Sequence, residues 1–214
     1  MLNRTEAGRL LAAEIKHYEG HPGLVVVGLP RGGVPVAFEV ACALRAPLDV
    51  LVVRKLGLPG EKELAIGAIA TGGVRVLDEA LIRSFGIPRR LIEEITAEER
   101  LILDRRERLY RAGRPPLDLL HRTVIVVDDG VAMGATMRAA VKAVRQQKPD
   151  RVIVAAPVVS IPARKLLLTE ADEVFCLATP EPFYAVGAWY EDFSQVSDEE
   201  VRRLLASSAR QKVA

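Results

Sequence analysis

Short, uninterrupted apolar runs constrain this chain more than any other feature of its sequence. Residues 24–29 and 123–127 are the clearest cases. Each is too short for a core helix, and neither alternates with charged residues. A strand with one wet face reads as an alternation, whereas a strand buried on both faces reads as a continuous run. Residues 49–53, 152–156 and 174–177 follow the same pattern. Strands buried on both faces belong to parallel sheets, and parallel strands need long crossovers, usually helical.

Helical spacing fills the intervals. Residues 4–18 place Leu10, Leu11, Ile15 and Tyr18 at helical intervals, with Asn3 or Thr5 as N-cap and Gly20 beyond the end. Residues 34–44, 78–85, 136–147, 162–168 and 198–209 read as further helices. Residues 88–111 read as a long amphipathic helix whose dense Arg and Glu side chains should form a solvated, ion-paired face. Residues 65–70 and 74–77, joined by Thr71, Gly72 and Gly73, read as a hairpin. Residues 179–193 are rich in proline and aromatic residues. The expected fold class is α/β: an open, mostly parallel, Rossmann-like sheet with helices on both faces. One domain is expected over residues 1–214, with its core near 24–178. A small hood or flap should come from 56–112 and 179–214.

Composition narrows the function. The chain has 214 residues, half of them hydrophobic, enough for one sizeable core. Its net charge is +2 with acids and bases interspersed, which gives no reason to expect nucleic acid as a partner. The longest uncharged apolar stretch, residues 152–163, is too short to span a bilayer and contains two prolines. The first residues read as a helix start rather than a signal peptide. Cys42 and Cys176 each sit in an apolar stretch and read as reduced core thiols. His17, His21 and His121 are scattered, without zinc spacing. A soluble, cytoplasmic protein without membrane contact is the expectation.

Ligands of open parallel sheets bind outside the carboxyl ends of the strands. That rule selects three places, and all three carry unusual chemistry. Residues 126–136 read Val-Ile-Val-Val-Asp-Asp-Gly-Val-Ala-Met-Gly-Ala-Thr when taken from residue 124. Two adjacent carboxylates, Asp128 and Asp129, end a buried strand. The loop Gly130, Val131, Ala132, Met133, Gly134 and Ala135 leads to Thr136 at a helix start, which makes a phosphate cradle of amides and helix dipole. Carboxylates beside such a cradle make sense facing a sugar, whose hydroxyls an ionised Asp accepts. A ribose 5-phosphate fits both halves. A helix cap alone would need only one of the two acids. The second place is the turn Arg31, Gly32 and Gly33 after the first strand. Its spacing is half a P-loop, but Val34 and Pro35 follow where Lys and Ser or Thr should stand. The third is Arg54-Lys55, two cations placed to meet a diphosphate.

Residues 124–136 resemble the 5-phosphoribosyl-1-pyrophosphate (PRPP) motif of type I phosphoribosyltransferases, with Asp128, Asp129, Gly134 and Thr136 matching. Met133 stands where that family usually has Thr or Ser. A hydroxyl bond to a charged phosphate is worth about 1.5–3 kcal/mol, so its loss weakens turnover more than binding. The turn at Arg31 resembles the family's pyrophosphate loop, and the resemblance makes residues 56–63 a candidate mobile flap. Residues 182–191 resemble the base-binding strand of purine enzymes, which implies Tyr184 stacking on a base, Val186 beside it and Glu191 near the pyrophosphate. The purine enzymes' Lys on the preceding strand is absent here, where Ala155, Ala156 and Pro157 stand. A hydrophobic edge strand is the alternative reading of that segment.

The resemblance implies an enzyme that transfers a phosphoribosyl group from PRPP to a nitrogenous base and releases pyrophosphate. Asp128 and Asp129 would hold the ribose and assist proton transfer. Mg²⁺ would be bound through the substrate rather than by direct protein ligands. Partners would be PRPP and a small base or nucleotide, and a homo-oligomer is compatible with this. The alternative is a non-catalytic regulatory module that keeps the same site. A phosphohydrolase needs a further Asp at 127, which is Val127. A zinc-finger relative needs more than two cysteines.

Overall fold

The computed structural model describes residues 1–59, 61–113, 115–116 and 118–211, with the backbone alone at 61–64, 210 and 211. Helix α1 (Arg4–Glu14) starts at Asn3, whose side chain accepts from the Glu6 amide. Strand β1 (Leu24–Gly28), helix α2 (Gly33–Leu44) and strand β2 (Leu48–Val50) follow. Next come β3 (Val53–Leu58), β4 (Glu61–Ala70), β5 (Val74–Leu77), α3 (Glu79–Ser84) and α4 (Arg89–Arg111). The chain then returns through β6 (Thr123–Val127), α5 (Ala135–Gln146), β7 (Arg151–Ala155), α6 (Ile161–Leu167), β8 (Glu173–Phe175) and α7 (Asp198–Gln211).

Five of these strands form one parallel sheet in the order β2-β1-β6-β7-β8. Alternate residues of each central strand enter opposite cores. Val25, Val27, Val124, Val126, Val152 and Val154 pack on one face, against α5 and α6. Leu24, Val26, Ile125, Val127, Ile153 and Ala155 pack on the other, against α1 and α2. This double burial is the reason those runs carry no polar residue. The order reverses between β1 and β6, and a crevice opens outside their carboxyl ends.

The hood is a second, antiparallel sheet in the order β3-β4-β5. It corrects two expectations. Residues 49–53 are not one core strand, because β2 ends at Val50. Thr71 takes both backbone groups of Val52: its hydroxyl accepts from the Val52 amide and its own amide donates to the Val52 carbonyl. That bond pair turns the chain into the hood. Residues 56–63 are mostly paired strand rather than open loop, with bulges around Gly57. Gly60 lies outside the described residues. The hairpin expected at 65–77 is present as β4 and β5.

Helix α4 also departs from a purely solvated face. Arg111 is buried and grips the Asp49 carboxylate with Nη1, at 2.9 Å to each oxygen, and the Val50 carbonyl with Nη2. Tyr110 is buried beside it and donates to Asp198 of α7. Among the described residues no helix is long and apolar enough to cross a membrane. Cys42 and Cys176 form no disulfide and are half-buried rather than fully in the core.

Removing one partner of a buried ion pair leaves the other desolvated and alone, at about 3–5 kcal/mol. Arg111→Ala should therefore destabilise the protein by about 3 kcal/mol in urea denaturation. The double variant Arg111→Met with Asp49→Asn should recover part of that loss.

Candidate active site

The ends of β1 and β6 are held in register by Gly28 against Val127, and the Leu29 amide donates to the Val127 carbonyl. This brings the turn after β1 and the acidic pair after β6 together, as the sequence anticipates. The Pro30–Arg31 peptide in that turn is cis. The approach is too close for any side chain at Gly32 or Gly33. A Cβ on Gly32 would lie 1.9 Å from the Asp129 Oδ2, and one on Gly33 2.7 Å from the Val127 carbonyl oxygen.

The two carboxylates have different partners. Asp128 Oδ1 accepts from the Asp129 amide. Asp129 Oδ2 accepts from Arg4 Nε at 2.7 Å, and the Asp129 carbonyl accepts from the Tyr190 hydroxyl. Burial pushes the Asp128 carboxyl well above the usual carboxylate range, and the neighbouring Asp129 adds to the shift. Burial also raises Asp129, but the Arg4 hydrogen bond and charge oppose it. Two coupled groups of this kind titrate as a pair.

Beyond the acids, the loop is fastened at its outer edge. The Val131 amide donates to the Val158 carbonyl, the Ser160 amide to the Val131 carbonyl, and the Ser160 hydroxyl to the Ala132 carbonyl. The amides of Ala132, Met133, Gly134, Ala135, Thr136 and Met137 donate to no acceptor among the described residues. Gly134 enters α5 with φ at 80°, a conformation that glycine adopts without strain. Gly130 has no room for a Cβ, which would meet Val186 Cγ1 at 2.3 Å. Met133 stands in solvent, 86% exposed.

Other expected site residues are placed differently. Arg31 is half-buried, and its side chain makes no hydrogen bond or ion pair among the described residues. Its charge reaches Tyr110. Arg54 lies inside β3 and is neutralised by Glu99 of α4 at 2.6 Å. Lys55 lines a cavity of about 240 Å³ between the hood and α5, together with Ala135, Arg138 and Lys142. Residues 182–191 form no strand: a 3₁₀ turn covers Val186–Trp189. Tyr184 is 83% exposed and Glu191 is exposed, its amide bound to the Met1 carbonyl. The aromatic residue that touches the acidic pair is Tyr190. Arg4 had no sequence signal at all, since it meets Asp129 across 125 positions of chain.

A family model described as a phosphoribosyl transferase domain matches residues 3–187. The chain belongs to the phosphoribosyl transferase domain family. It is 45% identical over 208 residues to Mycobacterium tuberculosis proteins named as "Putative phosphoribosyl transferase", covering 97% of this chain. It spans about half the length of those relatives, 47%. The crystal structure of the Thermus thermophilus protein TT1426 is 44% identical and superposes with a TM-score of 0.86, covering 97% of this chain and 99% of that one. A hypothetical protein from Neisseria gonorrhoeae, solved with bound ppGpp, shares the fold alone, at 15% identity and a TM-score of 0.50, covering 95% of this chain and 92% of its own.

The raised Asp128 makes stability fall with pH. From 3.8 upward to its higher value in the fold, the folded state holds more protons than the unfolded one. Stability is therefore lost as pH rises through that window. Asp128→Asn removes the buried charge, and its amide oxygen can still accept from the Asp129 amide. The variant should exceed the parent by about 0.5–2 kcal/mol at pH 7. The two should converge toward pH 4. Urea denaturation across pH checks this, and a less stable Asn variant at pH 7 contradicts it.

Proposed function

We propose that this chain binds PRPP across the ends of β1 and β6 and transfers its phosphoribosyl group to a nitrogenous nucleophile, releasing pyrophosphate. One observation carries the reading: an acidic pair lies between a loop of free amides and a turn bearing an unpaired arginine. The amides and the α5 dipole suit the 5′-phosphate. Asp128 Oδ2 and Asp129 Oδ1 take no hydrogen bond from the described residues and suit the ribose hydroxyls. The amides of the Gly32–Gly33 turn and the Arg31 fork suit the diphosphate. Arg54 no longer belongs in that set, because Glu99 already neutralises it.

Bond breaking at C1′ leaves positive charge on the ribose, and an anionic carboxylate nearby stabilises it. The protein's remaining work is to hold nucleophile and leaving group in line. Mg²⁺ is proposed as the counter-ion of the diphosphate. Among the described residues no three His, Cys, Asp or Glu side chains cluster to hold a metal. The open oxygens of the acidic pair fit an indirect role, accepting from water on an ion that the substrate carries. Two cysteines that form no disulfide fit a cytoplasmic setting.

A regulatory binding module is the second reading. It is favoured by the exposure of Tyr184 and Glu191, which leaves the base side of the site open. Pyrophosphate release from PRPP, Mg²⁺ and a panel of bases separates the two. Turnover supports the enzyme, and saturable PRPP binding without release supports the module. Asp129→Asn should weaken PRPP binding in calorimetric titration while the protein stays folded. Unchanged affinity would remove the acidic pair from the ribose.

The two anion sites should also be separable. Arg31→Ala should weaken PRPP by about 1.5–3 kcal/mol more than ribose 5-phosphate, which lacks the diphosphate. Affinities for both ligands at one salt concentration measure this. Equal losses would give Arg31 a purely structural part in the turn.

A further inference from the structure

The first residues of the chain and the segment before α7 meet beside the acidic pair. The Met1 amino group donates to the Trp189 carbonyl, and the amides of Glu191 and Asp192 donate to the carbonyls of Met1 and Leu2. Arg4 emerges from this junction with three anchors. Its Nε holds Asp129 Oδ2 at 2.7 Å, its Nη1 donates to the Ser194 carbonyl at 2.8 Å, and its guanidinium lies 3.9 Å from the Phe193 ring centroid. The side chain is 11% exposed. A long side chain fixed at three points is part of the architecture rather than a passing surface contact.

We propose that Arg4 is a positioning residue of the acidic pair: it fixes Asp129 as the ionised, hydroxyl-accepting member and leaves Asp128 as the member that exchanges a proton. The geometry makes the pair unequal. Arg4 hydrogen-bonds only Asp129, and only its Oδ2, so Oδ1 stays open to a ligand, while the Arg4 charge acts on Asp128 without a bond. Asp128 makes no hydrogen bond or ion pair to a cation among the described residues and accepts a single backbone amide. The groups facing Asp129 are Asp128 on its own loop, Arg4 from α1, and Tyr190 from the segment before α7; Gly32 contributes no charge. Asp192, also near Arg4, is exposed. Arg4 is therefore the sole cation in that set. Without it, two carboxylates on adjacent residues would share one proton, since both cannot ionise together in a partly dry site.

The ligand-binding part of this proposal rests on the PRPP reading, so the test has one arm with ligand and one without. In the ligand-free arm, the side-chain carboxyl carbons of Asp128 and Asp129 are titrated by NMR in the parent, Arg4→Met and Arg4→Lys. Asp129 should titrate below Asp128 in the parent. In Arg4→Met its midpoint should rise by about one pH unit or more, with a smaller rise in Arg4→Lys, whose single ammonium cannot hold all three anchors. In the ligand arm, PRPP affinity of Arg4→Met should drop by up to about tenfold per unit of rise as pH falls through the Asp129 midpoint found in the first arm. The parent should vary far less over that fall in pH. Should Arg4→Met fail to fold, Arg4→Lys carries both arms. Unmoved carboxyl midpoints in the folded variants overturn the proposal, whatever PRPP does. Shifted midpoints with no PRPP binding in any protein uphold Arg4 and overturn the PRPP reading instead.

Discussion

The packing of the Gly32–Gly33 turn against the end of β6 determines what the rest of the site can be. Two strand ends that are neighbours in a parallel sheet would ordinarily be kept apart by their side chains. Here backbone meets carboxylate directly, because neither glycine carries a Cβ that would strike Asp129 or the Val127 carbonyl. The hydrogen bond from the Leu29 amide to Val127 closes the same gap from below. An extended ligand can then bridge an arginine after one strand and an amide loop after the next without leaving the protein surface. The parallel register makes this possible, and the register follows from apolar runs that fit only a doubly covered sheet.

This closeness costs stability. A carboxylate in partly dry surroundings loses hydration, and an adjacent carboxylate adds repulsion. The fold offsets the cost unevenly. Asp129 receives Arg4, while Tyr190 binds its backbone. Asp128 receives one amide. The segments that supply the compensation are far apart in sequence and are tied to each other by backbone hydrogen bonds. Together they behave as the wall of the site.

Local order was legible in the sequence, and contacts between distant segments were not. The run at 123–127 became β6 with the expected bounds, and Asn3 capped α1 as its side-chain chemistry suggested. The meeting of the turn after β1 with the acidic pair also followed from the expected parallel sheet. The reading went astray where a tertiary bond overrode local pattern. Val52 continues an apolar run, yet Thr71 captures both of its backbone groups and pulls it out of the core sheet. Arg54 and Lys55 moved with it, away from the edge they were expected to occupy. Aromatic residues at 183–193 suggested a base-binding strand, but the proline-rich segment folds as turns, and Tyr190 rather than Tyr184 faces the acids. Arg4 lies at an unremarkable helix position, and only its fold-mates give it a role.

The hood bears on the site through the same logic of anchored charge. Arg111 at the end of α4 clamps Asp49 and the Val50 carbonyl, which pins the hood to β2. One residue earlier, the buried Tyr110 donates to Asp198 and so joins α4 to α7. Burial raises the Tyr110 hydroxyl well above its usual range and Asp198 adds to that, while Arg106 and Arg31 oppose it. The Arg31 charge thus acts on this junction from the turn after β1. A change in how the hood docks would alter the field at Arg31 without touching β6 or its loop. The amide loop has its own mechanical support in the Val158–Ser160 edge. The acidic pair, held by Arg4 and Tyr190, stands between that loop and the turn after β1.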